Sequence, residues 1–163
     1  MIRFAEPADL PGIVAIYNAS IPGRLATADT EPVSVAQREE WFRGFSPASR
    51  PLWVLERGGE VAGWFGLRSF YGRPAYHRTV ESAVYVAPAH QRRGVARELL
   101  RHALAECPPR GIANVLAFVF SHNAPSIALY ERAGFGRWGL LPRVCELDGD
   151  ERDVLILGKR VGG

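Results

Sequence analysis

Glu81-Ser82-Ala83-Val84-Tyr85-Val86-Ala87-Pro88-Ala89-His90-Gln91-Arg92-Arg93-Gly94-Val95-Ala96 is the stretch from which the fold can be worked out. It reads as a strand of β-branched and aromatic residues ended by Pro88, then a short basic loop, then a helix beginning near Gly94. A helix start presents unpaired backbone N–H groups and the positive end of the macrodipole, and a glycine there allows a phosphate close to the main chain. Arg92 and Arg93 add mobile positive charge, and the small Ala96 keeps the first turn open. The stretch therefore suits an anion. Taken alone it is also what an ordinary strand-to-helix turn with solvated arginines looks like, so residues elsewhere must decide.

At 163 residues the chain suits one domain, spanning 1–163, with a core that needs no staples. Hydrophobic residues at 47% and charged residues at 23% are ordinary for a soluble globular protein. No apolar run is long enough for a membrane span, and Met1-Ile2-Arg3-Phe4 opens without a signal-peptide core, so the expected compartment is the cytoplasm. Cys107 and Cys145 are too few and too far apart for a zinc site or a disulfide framework, and are expected reduced. His77, His90, His102 and His122 show no metal-ligand spacing and read as surface or loop residues, so no metal is expected. A net charge of +3 fits small anionic ligands and gives little reason to expect nucleic acid.

Outward from the opening stretch, Met1 to Ala5 reads as an edge strand, and Leu10, Ile13, Val14 and Tyr17 form one apolar face of a first helix, with Asp9 near its positive end. Ser20 to Pro32 is a polar loop, a lid or a plain connection. Ser34 and Gln37 have capping-box spacing, so a second helix starts there, with Trp41, Phe42 and Phe45 apolar. Leu52 to Glu56, Gly58-Gly59 and Val61 to Phe70 read as a hairpin, followed by the aromatic loop Phe70 to Tyr76. After Gly94, Val95, Leu99, Ala103 and Ala96, Leu100, Leu104 form a core-facing stripe, and Pro108-Pro109 ends the helix. Val115 to Phe120 is a buried strand, and a last helix runs from Asn123 to Gly134. Phe135 to Val144 and Val154 to Leu157 are strands joined through Asp148-Gly149-Asp150. Strands first in a meander and then joined through helices give a mixed α/β sandwich.

A second motif, Asn123, Ser126, Tyr130, Gly134 and Phe135, follows the first in order. Together with Val84-Tyr85-Val86 and Gln91-Arg92-Arg93-Gly94-Val95-Ala96 it resembles the paired acetyl-CoA signatures of the GNAT N-acetyltransferase superfamily. Ile16-Tyr17-Asn18, Thr30-Glu31-Pro32, Arg73-Pro74-Ala75-Tyr76 and Thr79-Val80-Glu81-Ser82 extend the likeness to the phosphinothricin and methionine sulfoximine acetyltransferase branch. The resemblance implies an α/β (α+β) fold with a mixed, mostly antiparallel central sheet of about seven strands, helices on both faces, and strands splayed at the acetyl-CoA site.

It further implies acetyl transfer from acetyl-CoA to the primary amine of a small amino-acid-like substrate. Val84 and Val86 would offer backbone N–H and C=O to the pantetheine arm, with Tyr85 between them in the same cofactor site, Gln91 to Ala96 would meet the pyrophosphate, and Asn123 and Ser126 the arm and thioester. The main chain around Tyr85 would polarise the thioester carbonyl. Glu81 is the expected base and Tyr130 the expected acid; without the resemblance, a solvated strand-end carboxylate and a core aromatic are the plainer readings. Members of the branch often carry histidine where Tyr130 stands, whereas tyrosine is usual in the wider superfamily. Arg73 would hold an acceptor carboxylate, and Glu31, Phe70, Tyr71 and Tyr76 would shape the pocket; a surface arginine and a packed or dimer-contact loop read equally well. A homodimer is the assembly the resemblance implies. An acyl-CoA sensor without turnover and a peptide N-terminal acetyltransferase are the competing functions.

Overall fold

A computed structural model describes residues 1–162 of the chain. Its elements are β1 (Ile2–Phe4), α1 (Leu10–Ser20), α2 (Val35–Arg43), β2 (Leu52–Arg57), β3 (Glu60–Ser69), β4 (Thr79–Val86), α3 (Val95–Glu106), β5 (Asn114–Phe120), α4 (Ala124–Arg132), β6 (Gly136–Leu147) and β7 (Asp150–Arg160). The seven strands form one sheet in the order β1-β2-β3-β4-β5-β7-β6. Among the described residues only β4 and β5 pair in parallel, joined through α3; the other neighbours are antiparallel.

Strand alternation divides the apolar residues between two cores. Trp53, Leu55, Phe65, Leu67, Val80 and Val115 pack on one face with Val95, Leu99 and Leu100 of α3 and Tyr130 of α4. Leu52, Val54 and Trp64 pack on the other with Ile13, Ile16 and Tyr17 of α1, and with Trp41 and Phe42 of α2. Gly63 lets α3 sit on β3: a Cβ there would lie 2.8 Å from Val95 Cγ1 and 2.9 Å from the Tyr85 carbonyl oxygen. The capping box at α2 is formed as its spacing required, with Gln37 N–H on Ser34 Oγ at 3.1 Å and Ser34 N–H on Gln37 Oε1 at 2.8 Å.

Several local expectations need correction. Asp9 serves chiefly as the partner of Arg3, accepting two bonds at 2.7 and 2.9 Å, which together hold its carboxyl below the usual range. His102 is no surface residue: it stands on α3 with its ring edge-on to Trp53 at 5.3 Å. The last two strands are longer than their apolar runs, and the turn between them is Asp148-Gly149, with Asp150 already in β7. Ladder pairing rather than side-chain character carries these ends, so polarity hid them. β6 also has register shifts between Arg137 and Gly139 and between Leu141 and Cys145.

Candidate active site

The β4–β5 ladder has only three rungs, Thr79 with Asn114, Val80 with Val115, and Glu81 with Leu116. Beyond Glu81 the strands part, which leaves main-chain groups of β4 without a strand partner. Which groups these are follows from the other edge. Ala87 N–H donates to the Ala62 carbonyl at 2.9 Å, and Phe70 N–H to the Thr79 carbonyl at 3.4 Å. The β3–β4 register between them is unbroken, so odd-numbered residues of β4 turn their N–H and C=O to β3, and Val84 and Val86 turn theirs into the gap. Tyr85 is thus a correction: its amide faces β3 and cannot polarise a group lying in the notch. The alternation that gives Val84 to the notch takes Tyr85 away from it.

Glu81 sits at the apex of this notch, on the last rung. Its residue is exposed, yet its carboxyl lies against enough of the strand for desolvation to raise its pKa above the ordinary value; Arg68, the partner of Glu81 on β3, opposes the shift. Tyr130 is 2% exposed and belongs to the core cluster under α3 and α4. Its oxygen lies 3.1 Å from Ser82 Oγ, and Ser82 donates its own proton to the Leu116 carbonyl at 2.9 Å. Tyr130 is therefore the donor in the pair. Burial pushes the phenol up to about 12, the Ser82 bond acting in the opposite sense. Alternation puts the Glu81 side chain on the α1 face and Ser82 and Tyr130 on the other, so the two proposed proton carriers flank the gap from opposite sides. Ser82 was legible in the sequence only as a member of a family-like string.

Past Pro88 a 3₁₀ turn leads to Gln91, Arg92 and Gly94, and α3 begins at Val95. Arg92 and Gly94 both have positive φ, 59° and 80°. A Cβ at Gly94 would meet nothing within 4 Å, so backbone conformation rather than crowding calls for glycine, and the turn stays open above the helix start. Arg92 and Arg93 are exposed and have no carboxylate partner among the described residues. Arg57 braces the turn, donating to the Arg93 carbonyl at 2.9 Å and to Glu98 at 2.8 Å. Val95 is 1% exposed, so it offers only its main chain; Ala96 is half-buried beside it.

Asn123 is fully engaged. Its Oδ1 caps α4 by accepting Ser126 N–H at 3.2 Å, and its Nδ2 donates to the Leu25 carbonyl at 3.0 Å. His122 Nε2 lies 3.0 Å from the Arg24 carbonyl and the Tyr85 hydroxyl donates to the Ala26 carbonyl at 3.1 Å. Three consecutive carbonyls, those of residues 24–26, are thereby tied to β4 on one side and to the end of β5 on the other. The loop between α1 and α2 is a strap across the wide end of the notch. Behind it, the Tyr17 hydroxyl bonds Thr27 Oγ1 at 2.6 Å and also Asp29, whose carboxylate receives Arg38 at 3.2 Å. The sequence leaves this loop as a lid or a plain connection and does not mark where it is tied, because its anchors are far from it in sequence.

Phe70, Tyr71 and Tyr76 form one aromatic cluster, and Phe70 stacks on Phe118 of β5 with ring centroids 6.4 Å apart. Phe118 shares the sheet face of Leu116 and Glu81, so the aromatic loop reaches the Glu81 side of the notch. Phe118 was missed because it reads as one more core residue of an apolar strand. Arg73 is exposed and lines a shallow cavity with Phe70 and Tyr76. Glu31 is exposed on the loop between α1 and α2, and is not joined to this cluster by any hydrogen bond or ion pair among the described residues.

Comparison with known proteins accords with this geometry. The model of the acetyltransferase (GNAT) family matches residues 13–135. YwnH of Bacillus subtilis (strain 168), whose name assigns it provisionally to phosphinothricin acetyl transfer, is 47% identical over 161 residues, covering 98% of each chain. The L-methionine sulfoximine/L-methionine sulfone acetyltransferase of Pseudomonas aeruginosa PAO1 is 32% identical over 157 residues, covering 96% of this chain and 91% of that one. Among solved structures, the GNAT superfamily phosphinothricin acetyltransferase of Sinorhizobium meliloti in complex with AcCoA superposes with a TM-score of 0.93 at 28% identity, covering 99% of this chain and 88% of that one. The family model spans most of the chain and these relatives match it over nearly its whole length, so the chain belongs to the GNAT acetyltransferase family.

Proposed function

We propose that the chain, as one domain over residues 1–163, transfers an acetyl group directly from acetyl-CoA to the primary amine of a small amino-acid-like substrate of the phosphinothricin, methionine sulfoximine or methionine sulfone kind. The names of its relatives support that acceptor class. The observation that carries the reading is the notch: main-chain groups of Val84 and Val86 unpaired along one edge, running to an open helix start with two unpartnered arginines. These residues fit acetyl-CoA. Val84 and Val86 would pair with the amide-bearing arm as a neighbouring strand does, Gln91 to Ala96 would hold the pyrophosphate, and Asn123, Ser126 and Tyr85 would keep the strap and the α4 start in place around the arm. When bound, acetyl-CoA supplies an activated acyl carbon and a thiolate leaving group.

The chain's own groups then manage protons. Glu81, with its raised pKa, takes a proton from the acceptor ammonium, and the freed amine is the nucleophile. Tyr130 stays protonated at any working pH and turns its O–H from Ser82 to the departing sulfur. Each contributes on the order of 10² to 10⁴ in rate. The Val84 N–H, rather than that of Tyr85, is directed to support a carbonyl oxygen in the gap. Phe70, Tyr71, Tyr76 and Glu31 border the acceptor, and Arg73 supplies a cation for an acid group. A covalent acetyl-cysteine has no support: Cys107 is buried, donates to the Ala103 carbonyl at 3.1 Å, and is pushed up to about 11 by burial.

The chain acts as a homodimer in this reading. Trp138, Leu140, Leu141 and Val144 lie 40 to 54% exposed on β6, at the edge of the sheet, an apolar surface suited to a second copy. Cytoplasmic residence goes with an intracellular acyl donor; no described helix is long and apolar enough to cross a membrane. The deciding experiment is a mass-spectrometric screen for acetylated products with acetyl-CoA and a panel of amino acids and analogues. Amine-dependent product formation that collapses in Glu81→Gln is expected. Calorimetric binding of acetyl-CoA with no product from any acceptor would leave a sensor in its place.

A further inference from the structure

Arg50 stands just before β2 and reaches over the end of the sheet. Its Nε donates to Ser69 Oγ at 2.9 Å, its Nη1 to the Ser49 carbonyl at 2.8 Å and its Nη2 to the His77 carbonyl at 2.7 Å. Every one of these acceptors is neutral. Among the described residues no carboxylate lies in ion-pair reach of Arg50, whereas Arg3, Arg38, Arg57 and Arg110 each have one. The Arg50 residue is half-buried, and burial without a counter-ion lowers its pKa. A cation partly removed from water and left without an anion is an unfavourable arrangement that an anionic ligand would relieve.

Arg73 is exposed and adds a second cation without an anion partner among the described residues. It has no side-chain hydrogen bond and no ion pair among the described residues, and with Arg50 it lines an open cavity of about 190 Å³ walled by Ser69, Phe70, Tyr76 and His77. Ser69 pairs with Val80, one rung from the Arg68–Glu81 pair, and Phe70 both walls the cavity and stacks on Phe118. Phe118 shares the sheet face of Glu81, so Phe70 borders both the cavity and the face that carries the proposed base. An α-carboxylate sits on the carbon that bears the reacting amine and stays close to Glu81. A group that passes Phe70 into the cavity belongs to the far end of the acceptor.

The geometry points to an oxyanion subsite in which Arg50 and Arg73 jointly take an acid group on the acceptor's side chain, so that a phosphinate, carboxylate or sulfonate there is preferred over a neutral side chain. The acceptor assignment rests on the acetyl-transfer reading above; the anion site rests on the cavity alone. Arg50 escaped the sequence reading because it sits in a Ser-Arg-Pro connection with no motif around it.

The test compares phosphinothricin, with its side-chain phosphinate, and methionine sulfone, with a neutral side chain of similar length. Arg73→Gln removes no bond of the folded protein and is expected to cut kcat/KM for phosphinothricin by about tenfold or more, mostly through KM, with a much smaller loss on methionine sulfone. Arg50→Lys keeps the charge but loses the fork, and should fall between. Equal losses on both acceptors, or none on phosphinothricin, would overturn the subsite. A second arm reads the thermal midpoint with methylphosphonate and no acetyl-CoA. A rise in the parent that shrinks in Arg73→Gln supports the subsite; no rise, or the same rise in both proteins, overturns it. If the parent acetylates neither amine, the acceptor reading falls while this arm still decides the anion site.

Discussion

Glu81 and Tyr130 differ in how their environments act on them, and the difference is testable. A carboxylate raised by burial holds its proton more tightly in the folded than in the unfolded chain, so stability declines slightly as pH rises between its ordinary and its raised pKa. Glu81→Gln removes that ionisation. At neutral pH the variant should melt no lower than the parent, while kcat falls by about 10²-fold or more; a matching drop in thermal midpoint would assign the loss to folding instead. The parent's kcat/KM should climb with pH along a limb above the usual carboxylate range, and that limb should vanish in the variant. For Tyr130→Phe the phenol at about 12 predicts no alkaline limb of its own below pH of about 10. Its removal leaves Ser82 bonded to Leu116 and costs on the order of 1 kcal/mol of stability in denaturant unfolding, with a larger effect on turnover.

At the scale of elements, the start of α4 and the start of α3 do different work. Asn123→Ala loses the cap of α4 and one of three ties on the strap, so a destabilisation of about 1 to 2 kcal/mol is expected, together with a raised KM for acetyl-CoA. An unchanged KM beside a lowered thermal midpoint would confine Asn123 to capping. Gly94→Ala meets open space but must hold a φ of 80°, at a cost of roughly 1 kcal/mol. Its signature should be weaker binding of CoA in calorimetry, with the core's unfolding cooperativity intact. The capping box, the Gly58-Gly59 hairpin and the α3 stripe were legible because each is written within a few residues. The strap was not: its ties from Tyr85, His122 and Asn123 span 59 to 98 residues of sequence.

For the whole molecule, the sheet order leaves the α1 face of β5, β7 and β6 without a helix, among the described residues, over its apolar side chains, which include Phe118 at 37% and Leu141 at 40% exposed. Leu141→Arg together with Trp138→Ser should turn the proposed dimer into a monomer in light scattering after size exclusion, with little change in the thermal midpoint of the isolated fold. A parent that is monomeric at micromolar concentration would remove the dimer from the account. Local pattern thus carried the fold class and the donor site far, since two spaced motifs on a strand, a turn and two helix starts leave few architectures that join them.

What the sequence by itself determined is the set of elements, the family they belong to and the open glycine turn at the start of α3, all encoded by near neighbours through periodicity, caps and glycine placement. What only the tertiary structure decided is direction and company. The register with β3 turned Val84 and Val86 toward the gap and Tyr85 away. The three-rung ladder put Glu81 at its apex, and the sheet end brought Arg50 to Arg73. Each of these depends on partners far off in the chain, and a one-dimensional pattern carries no information on which edge a main-chain group faces until its neighbouring strand is fixed.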